Sequence, residues 1–440
     1  MNHINKKLNR SEFLLCLAFF FFSFYWAIIQ PYNSAPDETM RYAVAQFLFQ
    51  HNRLPVGDEL ISHWGFSYAH YPTVIYSQIA YVFMKIVSLF TTEEMMLVYA
   101  TRMVSVVCGT GTVYFSIKAS KWLFPSPARW IFLFFIAAMP QFVFLSSYVN
   151  CDSVAIFSTS VIFYSWVLGM TEGWNYKNAT LLAMGISICA LAYYNSYAWI
   201  LFSIPFFLVS SSVQNKNHHA KTIKLAVYTA AIVLLLISYS FIRHLVLYND
   251  LLGFRTCTYY GELYAIGSLK PSIRTSFAES GIPLSAMLFD PNYSWFVFSW
   301  CSFIGTFGYM AYLLPKKVYM IVTGIVLLPF LALMIKFFIR RIKRYHTDRV
   351  QMWFSFCLVA VSITTVLLSI IQSYYRDYQP QGRYCYPAMI PLAFAVAKGY
   401  EFLLSKFDKK HCCIAVLGFS ITMVCLLLVA FHTAFLPSIQ

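Results

Sequence analysis

Charge is scarce in this sequence. Only 11% of its 440 residues are Asp, Glu, Lys or Arg, and the 17 acidic side chains are outnumbered by 32 basic ones. Hydrophobic residues fill 59% of the positions. A soluble domain of this size does not bury that much apolar surface, so the composition excludes one and implies an integral membrane protein. Most of the chain should then form one helical bundle, with no separate soluble domain.

Other absences narrow the chemistry. The eleven cysteines contain no Cys-x-x-Cys pair and no metal-ligand spacing. Cys16, Cys108, Cys189 and Cys425 lie inside apolar runs, where a thiol packs as a small apolar group. Cys412 and Cys413, beside Lys409 and Lys410, read as packing in the same way. There is no P-loop, no GxGxxG opening a helix and no serine nucleophile elbow. The net charge of +15 does not point to nucleic acid, because the basic residues fall in short clusters between apolar runs. That is the positive-inside pattern of a multi-pass membrane protein.

The basic N-terminus MNHINKKLNR precedes the apolar run Phe13 to Ile29, which reads as an uncleaved first helix with a cytoplasmic N-terminus. With about 20 apolar residues per crossing, eleven spans are expected, near 12–30, 97–117, 129–147, 153–170, 178–193, 196–212, 223–247, 318–339, 350–372, 386–405 and 412–434. The inner segments then hold Lys6, Lys7 and Arg10; Lys118, Lys121 and Arg129; Lys216, Lys221 and Lys224; Arg340, Arg341, Lys343, Arg344 and Arg349; and Lys406, Lys409 and Lys410. The apolar stretches Val74 to Phe90 and Trp295 to Leu314 are expected as interfacial helices, the second carrying Trp295, Trp300, Tyr309 and Tyr312. Long outer segments, 31–96 and 248–317, and a short one, Ser373 to Tyr386, place the working surface outside the cytoplasm.

The polar stretch Pro31 to Pro72 gathers Asp37, Glu38, His51, Asp58, Glu59, His63 and His70. A helix is expected from Pro36 to before Pro55, lying on the membrane with Met40, Val44, Phe47 and Leu48 as its apolar stripe. Ser34, three residues before Asp37, suggests a capping-box-like start. Adjacent helical residues point about 100° apart, so Asp37 and Glu38 cannot face one reacting atom. Asp37 is placed to act as a base beside a lipid headgroup. It also fits a plain first-turn acid favoured by the helix dipole, with Glu38 a partner for Arg41.

A second cluster, SYYRDYQPQGRYCYP, packs Arg376, Asp377, Gln379, Gln381, Arg383 and Tyr384 between two spans. Arginines among side-chain donors suit a phosphate, although a solvated loop would look similar. Asn150 and Asp152, in SSYVNCDS, sit at an outer turn, where Asp152 either caps the next helix or shapes a site. Arg102 lies inside a span, where a charge is paired, functional or snorkelling. The spacings of His51, His63 and His70 match no helical metal pair. No metal site is assigned, although a divalent ion bridging carboxylates and a phosphate is compatible with the residues.

The order PDETMRY, HNRLPVG, YAHYPTVIY and a span entered near Arg102 resembles the GT-C superfamily of membrane glycosyltransferases. YVNCDS, SWCSFIGTFGY and YQPQGRYCYPAMIP resemble one of its bacterial families of predicted membrane proteins, over residues 31–392. The resemblance implies an all-α GT-C bundle in the bacterial cytoplasmic membrane, with an extracytoplasmic site. It implies a polyprenyl-phosphate-linked sugar as donor, no nucleic acid, and a cell-envelope glycan or protein as acceptor. It also implies Asp37 or Glu38 as catalytic base. Arg383 with Arg376, Arg102, Tyr384 and Gln381 would lie around the phosphate, and Arg41, His70, Tyr71, Asn150 and Asp152 would line the site. A transporter or flippase for a lipid-linked glycan, a glycan ligase and a non-enzymatic scaffold are the competing readings.

Overall fold

A computed structural model describes residues 7–124, 127–215, 219–342 and 348–440. Lys6, Lys216, Lys343 and Arg344 of the expected basic clusters lie outside the described residues, as do the side chains of Arg340 and Arg341. The chain is almost wholly helical. The helices are α1 (Arg10–Ile29), α2 (Glu38–His51), α3 (Ile75–Val87), α4 (Glu94–Leu123), α5 (Arg129–Ala137), α6 (Pro140–Leu145), α7 (Asp152–Thr171), α8 (Tyr176–Ala192) and α9 (Tyr197–Gln214). They continue with α10 (His219–Tyr248), α11 (Phe254–Tyr264), α12 (Leu284–Phe289), α13 (Trp295–Ile304), α14 (Lys316–Ile342), α15 (Arg349–Tyr375), α16 (Met389–Leu404) and α17 (Lys409–Ala430). One small antiparallel hairpin, β1 (Thr306–Phe307) with β2 (Tyr312–Leu313), was not legible in the sequence.

Among the described residues, nine helices are long and apolar enough to cross a bilayer. The two other expected spans have local reasons for falling short. Segment 129–147 is split into α5 and α6 because Pro140 has no N–H to give and holds Met139 extended at ψ 117°. The freed backbone is tolerated because α6 is buried throughout. α8 is simply short, at 17 residues. α3 and α13, at 13 and 10 residues, are shorter than the roughly 20 needed to span. The chain is a multi-pass membrane protein.

The bundle has two chemically different ends. At one, Glu12 is wholly buried and pairs with Lys121 and Arg129, each at 2.8 Å. Lys398 reaches the carbonyl of Leu123 at 2.7 Å beside them. At the other end of α1, about 22 Å along the helix axis, lie the two polar clusters picked out from the sequence. The expected basic face and the expected site therefore occupy opposite ends.

The two long segments between spans, 31–96 and 248–317, pack on each other. The His70 ring stacks on Tyr260 at 4.4 Å, Tyr264 donates to Asp58 at 2.8 Å, and Gly57 N–H donates to Tyr248 at 3.0 Å. Gly253 makes this contact possible: its φ is +81°, and a Cβ there would stand 2.2 Å from the His70 carbonyl oxygen.

Candidate active site

Asp37 precedes α2 with φ 63° and ψ 4°, a left-handed conformation that is uncommon for a non-glycine residue. Its carbonyl accepts the Arg41 N–H at 3.1 Å, which starts the helix, while its side chain caps nothing and points away. The expected capping role of Ser34 is absent, because its hydroxyl donates to the Pro31 carbonyl instead. Such a backbone costs about 1 kcal/mol or more, so its surroundings must enforce it.

The enforcing contact comes from the next residue. Glu38 is fully buried and takes Arg102 in a two-point pair, Nε to Oε1 at 2.8 Å and Nη2 to Oε2 at 2.9 Å. Arg102 also donates to the carbonyls of Ala27, Gln30 and Pro31. Glu38 accepts the N–H groups of Asn33 at 2.9 Å and Val149 at 3.2 Å. The pair thus fastens the end of α1, the start of α2, α4 and the turn before α7. This corrects two expectations. Glu38 does not pair with Arg41, and neither Glu38 nor Arg102 has capacity left for substrate.

Asp37 meets Arg383 across 346 residues of sequence, Oδ2 to Nη2 at 2.8 Å. Asp37 is 26% exposed and Arg383 only 4%. Arg383 is held in place by the turn Gly382–Ala388. A Cβ on Gly382 would lie 2.0 Å from the Phe303 nitrogen, so only glycine lets this turn seat on α13. Tyr386 donates to the Phe303 carbonyl and Trp199 to the Pro387 carbonyl, both at 2.8 Å. Arg383 Nη2 also donates to Tyr384 at 3.0 Å; the Tyr384 hydroxyl donates to Gln379, and Gln379 to Asp377 at 2.7 Å. The SWCSFIGTFGY and YQPQGRYCYP motifs are thus two halves of one scaffold.

A second cation stands beside this pair. Arg41 is buried, with its guanidinium 3.9 Å from the centre of the Tyr68 ring. Burial pushes the Asp37 carboxyl up, but Arg383, Arg41 and the Tyr68 hydroxyl together outweigh it and hold the group below its ordinary value. Several buried polar atoms around the pair have no hydrogen-bond partner among the described residues: Nε and Nη1 of Arg383, Nε of Arg41, Oδ2 of Asp152 and Oε1 of Gln381. A buried polar atom without a partner is costly and is the signature of a place that expects a ligand or water. A small cleft of about 10 Å³ beside them is lined by Arg41, Tyr68, Thr73, Tyr76, Ser77 and Cys151.

The remaining sequence-picked residues divide. Asn150 is structural, donating to the carbonyls of Leu145 and Tyr148 and accepting the Ser153 N–H. Asp152 is buried within electrostatic reach of Arg383, Arg41 and Asp37. His70 and Tyr71 belong to the contact between the two long segments; His70 meets the Gly57 carbonyl, and Tyr71 packs on Tyr194 and Phe254. Arg376 is exposed at the end of α15, away from Asp37. The helix face carrying Glu38, Arg41, Tyr42 and Ala45 is buried, and so is Val44 of the expected apolar stripe. Tyr68, Tyr148 and Tyr193, which the sequence reading passed over, surround the arginines. Their only sequence signal is an unusual density of tyrosine in the polar segments.

Among the described residues no group of three or more His, Cys, Asp or Glu could hold a metal ion. The larger cavity, about 230 Å³, lies between α1, α5 and α17 and is lined only by apolar side chains such as Leu15, Phe22 and Leu427.

The all-helical membrane bundle has the fold of proteins of known structure. Two solved structures share it over nearly the whole chain. The apo ArnT of Cupriavidus metallidurans matches with a TM-score of 0.53 and 12% identity, covering 94% of this chain and 63% of that one. The Archaeoglobus fulgidus oligosaccharyltransferase in complex with Zn and sulfate matches with a TM-score of 0.57 and 13% identity, covering 96% and 53%. A second ArnT structure, bound to undecaprenyl phosphate, matches at 0.51 with 12% identity, covering 97% and 73%. The chain therefore spans less than two thirds of the apo ArnT and oligosaccharyltransferase chains. No curated protein matches the sequence. The chain belongs to the family described as "Predicted membrane protein (DUF2142)", whose model matches residues 45–392.

Proposed function

We propose that the protein is an inverting glycosyltransferase. It takes a sugar from a polyprenyl-phosphate donor and passes it to a glycan or protein of the cell envelope, on the extracytoplasmic face of a bacterial cytoplasmic membrane. The observation that carries this reading is the 2.8 Å contact between Asp37 and Arg383, with Arg41 beside it and their remaining donors unpartnered. Two stretches distant in sequence, the start of α2 and the turn carrying Arg383, bring one carboxylate and two guanidinium groups together. The lipid-carrier ligand of the ArnT structure, undecaprenyl phosphate, supports a lipid phosphate as the anion.

In this reading the donor phosphate takes up the free edge of Arg383 and approaches Arg41, and Asp37 is released from its ion pair. Asp37 accepts the proton of the acceptor hydroxyl as its oxygen attacks the anomeric carbon. The bond from that carbon to the phosphate oxygen breaks, its electron pair goes to the phosphate, and the arginines stabilise the charge that develops there. One displacement inverts the anomeric centre.

The test is the purified protein in liposomes with radiolabelled decaprenyl-phosphate sugars and an envelope extract. Transfer of label to the extract, lost in Asp37→Asn, is the expected result. Label that crosses the bilayer unchanged would make the protein a flippase.

A further inference from the structure

One buried acid beside this pocket is not used by the mechanism above. Asp152 is 1% exposed and begins α7. Its Oδ1 receives a long hydrogen bond, 3.4 Å, from Asn195 Nδ2. Its Oδ2 has no partner among the described residues, and neither does the neighbouring Oδ1 of Asn195. Two buried acceptor oxygens on touching side chains thus lack a donor. On the other flank, Arg383 and Arg41 present N–H groups without acceptors. The two flanks ask for opposite things. The arginines ask for an anion, and the Asp152 and Asn195 side asks for a group that donates hydrogen bonds.

A bare lipid phosphate answers only the first demand. A sugar attached to it answers both, because its hydroxyls are donors held a few bonds from the phosphate. Resting on the reading above, we infer that Asp152 is a specificity-determining residue whose Oδ2 accepts a hydrogen bond from a hydroxyl of the transferred sugar, with Asn195 Oδ1 taking a neighbouring one. Leaving a buried acceptor without a donor costs more than an ordinary hydrogen bond gains. The site would therefore discriminate sugars by their hydroxyls as well as by shape.

Binding separates this inference from the reading it rests on. Decaprenyl phosphate and decaprenyl phosphate carrying glucose, mannose, galactose or arabinose are titrated against the full-length protein in nanodiscs. At least one glycosylated lipid should bind the wild type about tenfold or more tightly than decaprenyl phosphate. Asp152→Ala should bind bare and glycosylated lipids alike, the bare one at least as tightly as the wild type, because an acid within reach of Arg383 and Arg41 is gone. Asp152→Asn, which keeps the volume in case the alanine variant folds poorly, should lose most of the sugar preference. A sugar preference undiminished in both variants overturns the assignment, as does a wild type that binds bare lipid phosphate with no preference for any sugar. A preference that requires added Mg²⁺ or Mn²⁺ and disappears with chelator would make Asp152 a cation ligand, and would overturn it too. A wild type that binds neither lipid defeats the underlying glycosyltransferase reading itself.

Discussion

Arg102 and Glu38 occupy each other completely: both carboxylate oxygens and two guanidinium nitrogens meet at 2.8 and 2.9 Å with neither side chain exposed. Every remaining contact of the pair goes to backbone that shapes the approach to Asp37. A buried pair of this kind is costly to break from one side, by about 3–5 kcal/mol, because the other charge is left alone. Arg102→Met and Glu38→Gln should each lower the melting temperature in detergent sharply. An unchanged melting curve for either would show that the pair does not hold the segment after α1.

Arg383 and Asp37 predict a pH effect with a definite sign. The carboxyl of Asp37 is held below its ordinary value, chiefly against burial, by Arg383 and then Arg41. A depressed folded-state value means that the charged form, and the stability it contributes, persists below the ordinary aspartate range and is lost only as pH falls through the lowered value. Removing Arg383 takes away the strongest of the influences that oppose burial, leaving Arg41 and the Tyr68 hydroxyl. The acid limb of activity should therefore move to higher pH in Arg383→Gln, in addition to a loss of donor use. A pH profile with the same acid limb as the wild type would detach the two residues.

Gly382 predicts a packing effect. A methyl group there meets the Phe303 nitrogen at 2.0 Å and the Ser299 carbonyl oxygen at 2.5 Å. Backbone cannot give way as a side chain can, so the turn that carries Arg383 must lift from α13. Gly382→Ala should destabilise the protein by about 1–3 kcal/mol, the usual cost of overpacking. It should also cut transfer more than tenfold. Wild-type stability and activity in this variant would contradict the scaffold described here.

The two other arginines make a contrasting pair. Arg41 is buried against Tyr68 beside Asp37, whereas Arg376 is exposed at the end of α15. Arg41→Gln should weaken binding of decaprenyl phosphate, and Arg376→Ala should leave both binding and stability within about 0.5 kcal/mol of wild type. The reverse order of effects, measured by titration in nanodiscs, would restore Arg376 to the phosphate site.

How much of this could be read from the sequence depended on the range of the interaction. The apolar runs gave the spans, and Pro140 explains the one that is split. The shortness of α3 and α13 left them off the list of crossings, as their aromatic and charged residues suggested. Asp37 and Arg383 were both picked out by residue type, but their contact spans 346 positions and has no local signature. Glu38 and Arg102 were chosen for the site for the same reason, and are instead joined to each other. Helix periodicity finds the apolar stripe of α2, but the polar face with Glu38 and Arg41 is covered as well, by α3, α4 and the tyrosines. A buried polar face lies outside the rule that periodicity relies on.

The central claim is that Asp37 removes a proton while Arg383 holds the departing phosphate. The most direct measurement is single-turnover transfer from radiolabelled decaprenyl-phosphate sugar by the wild type and by Asp37→Asn, with equal folded protein confirmed by melting curves. The account predicts a rate lower by about 10²–10⁴-fold in the variant, with binding of decaprenyl phosphate retained. An Asp37→Asn protein that transfers sugar at the wild-type rate would contradict it.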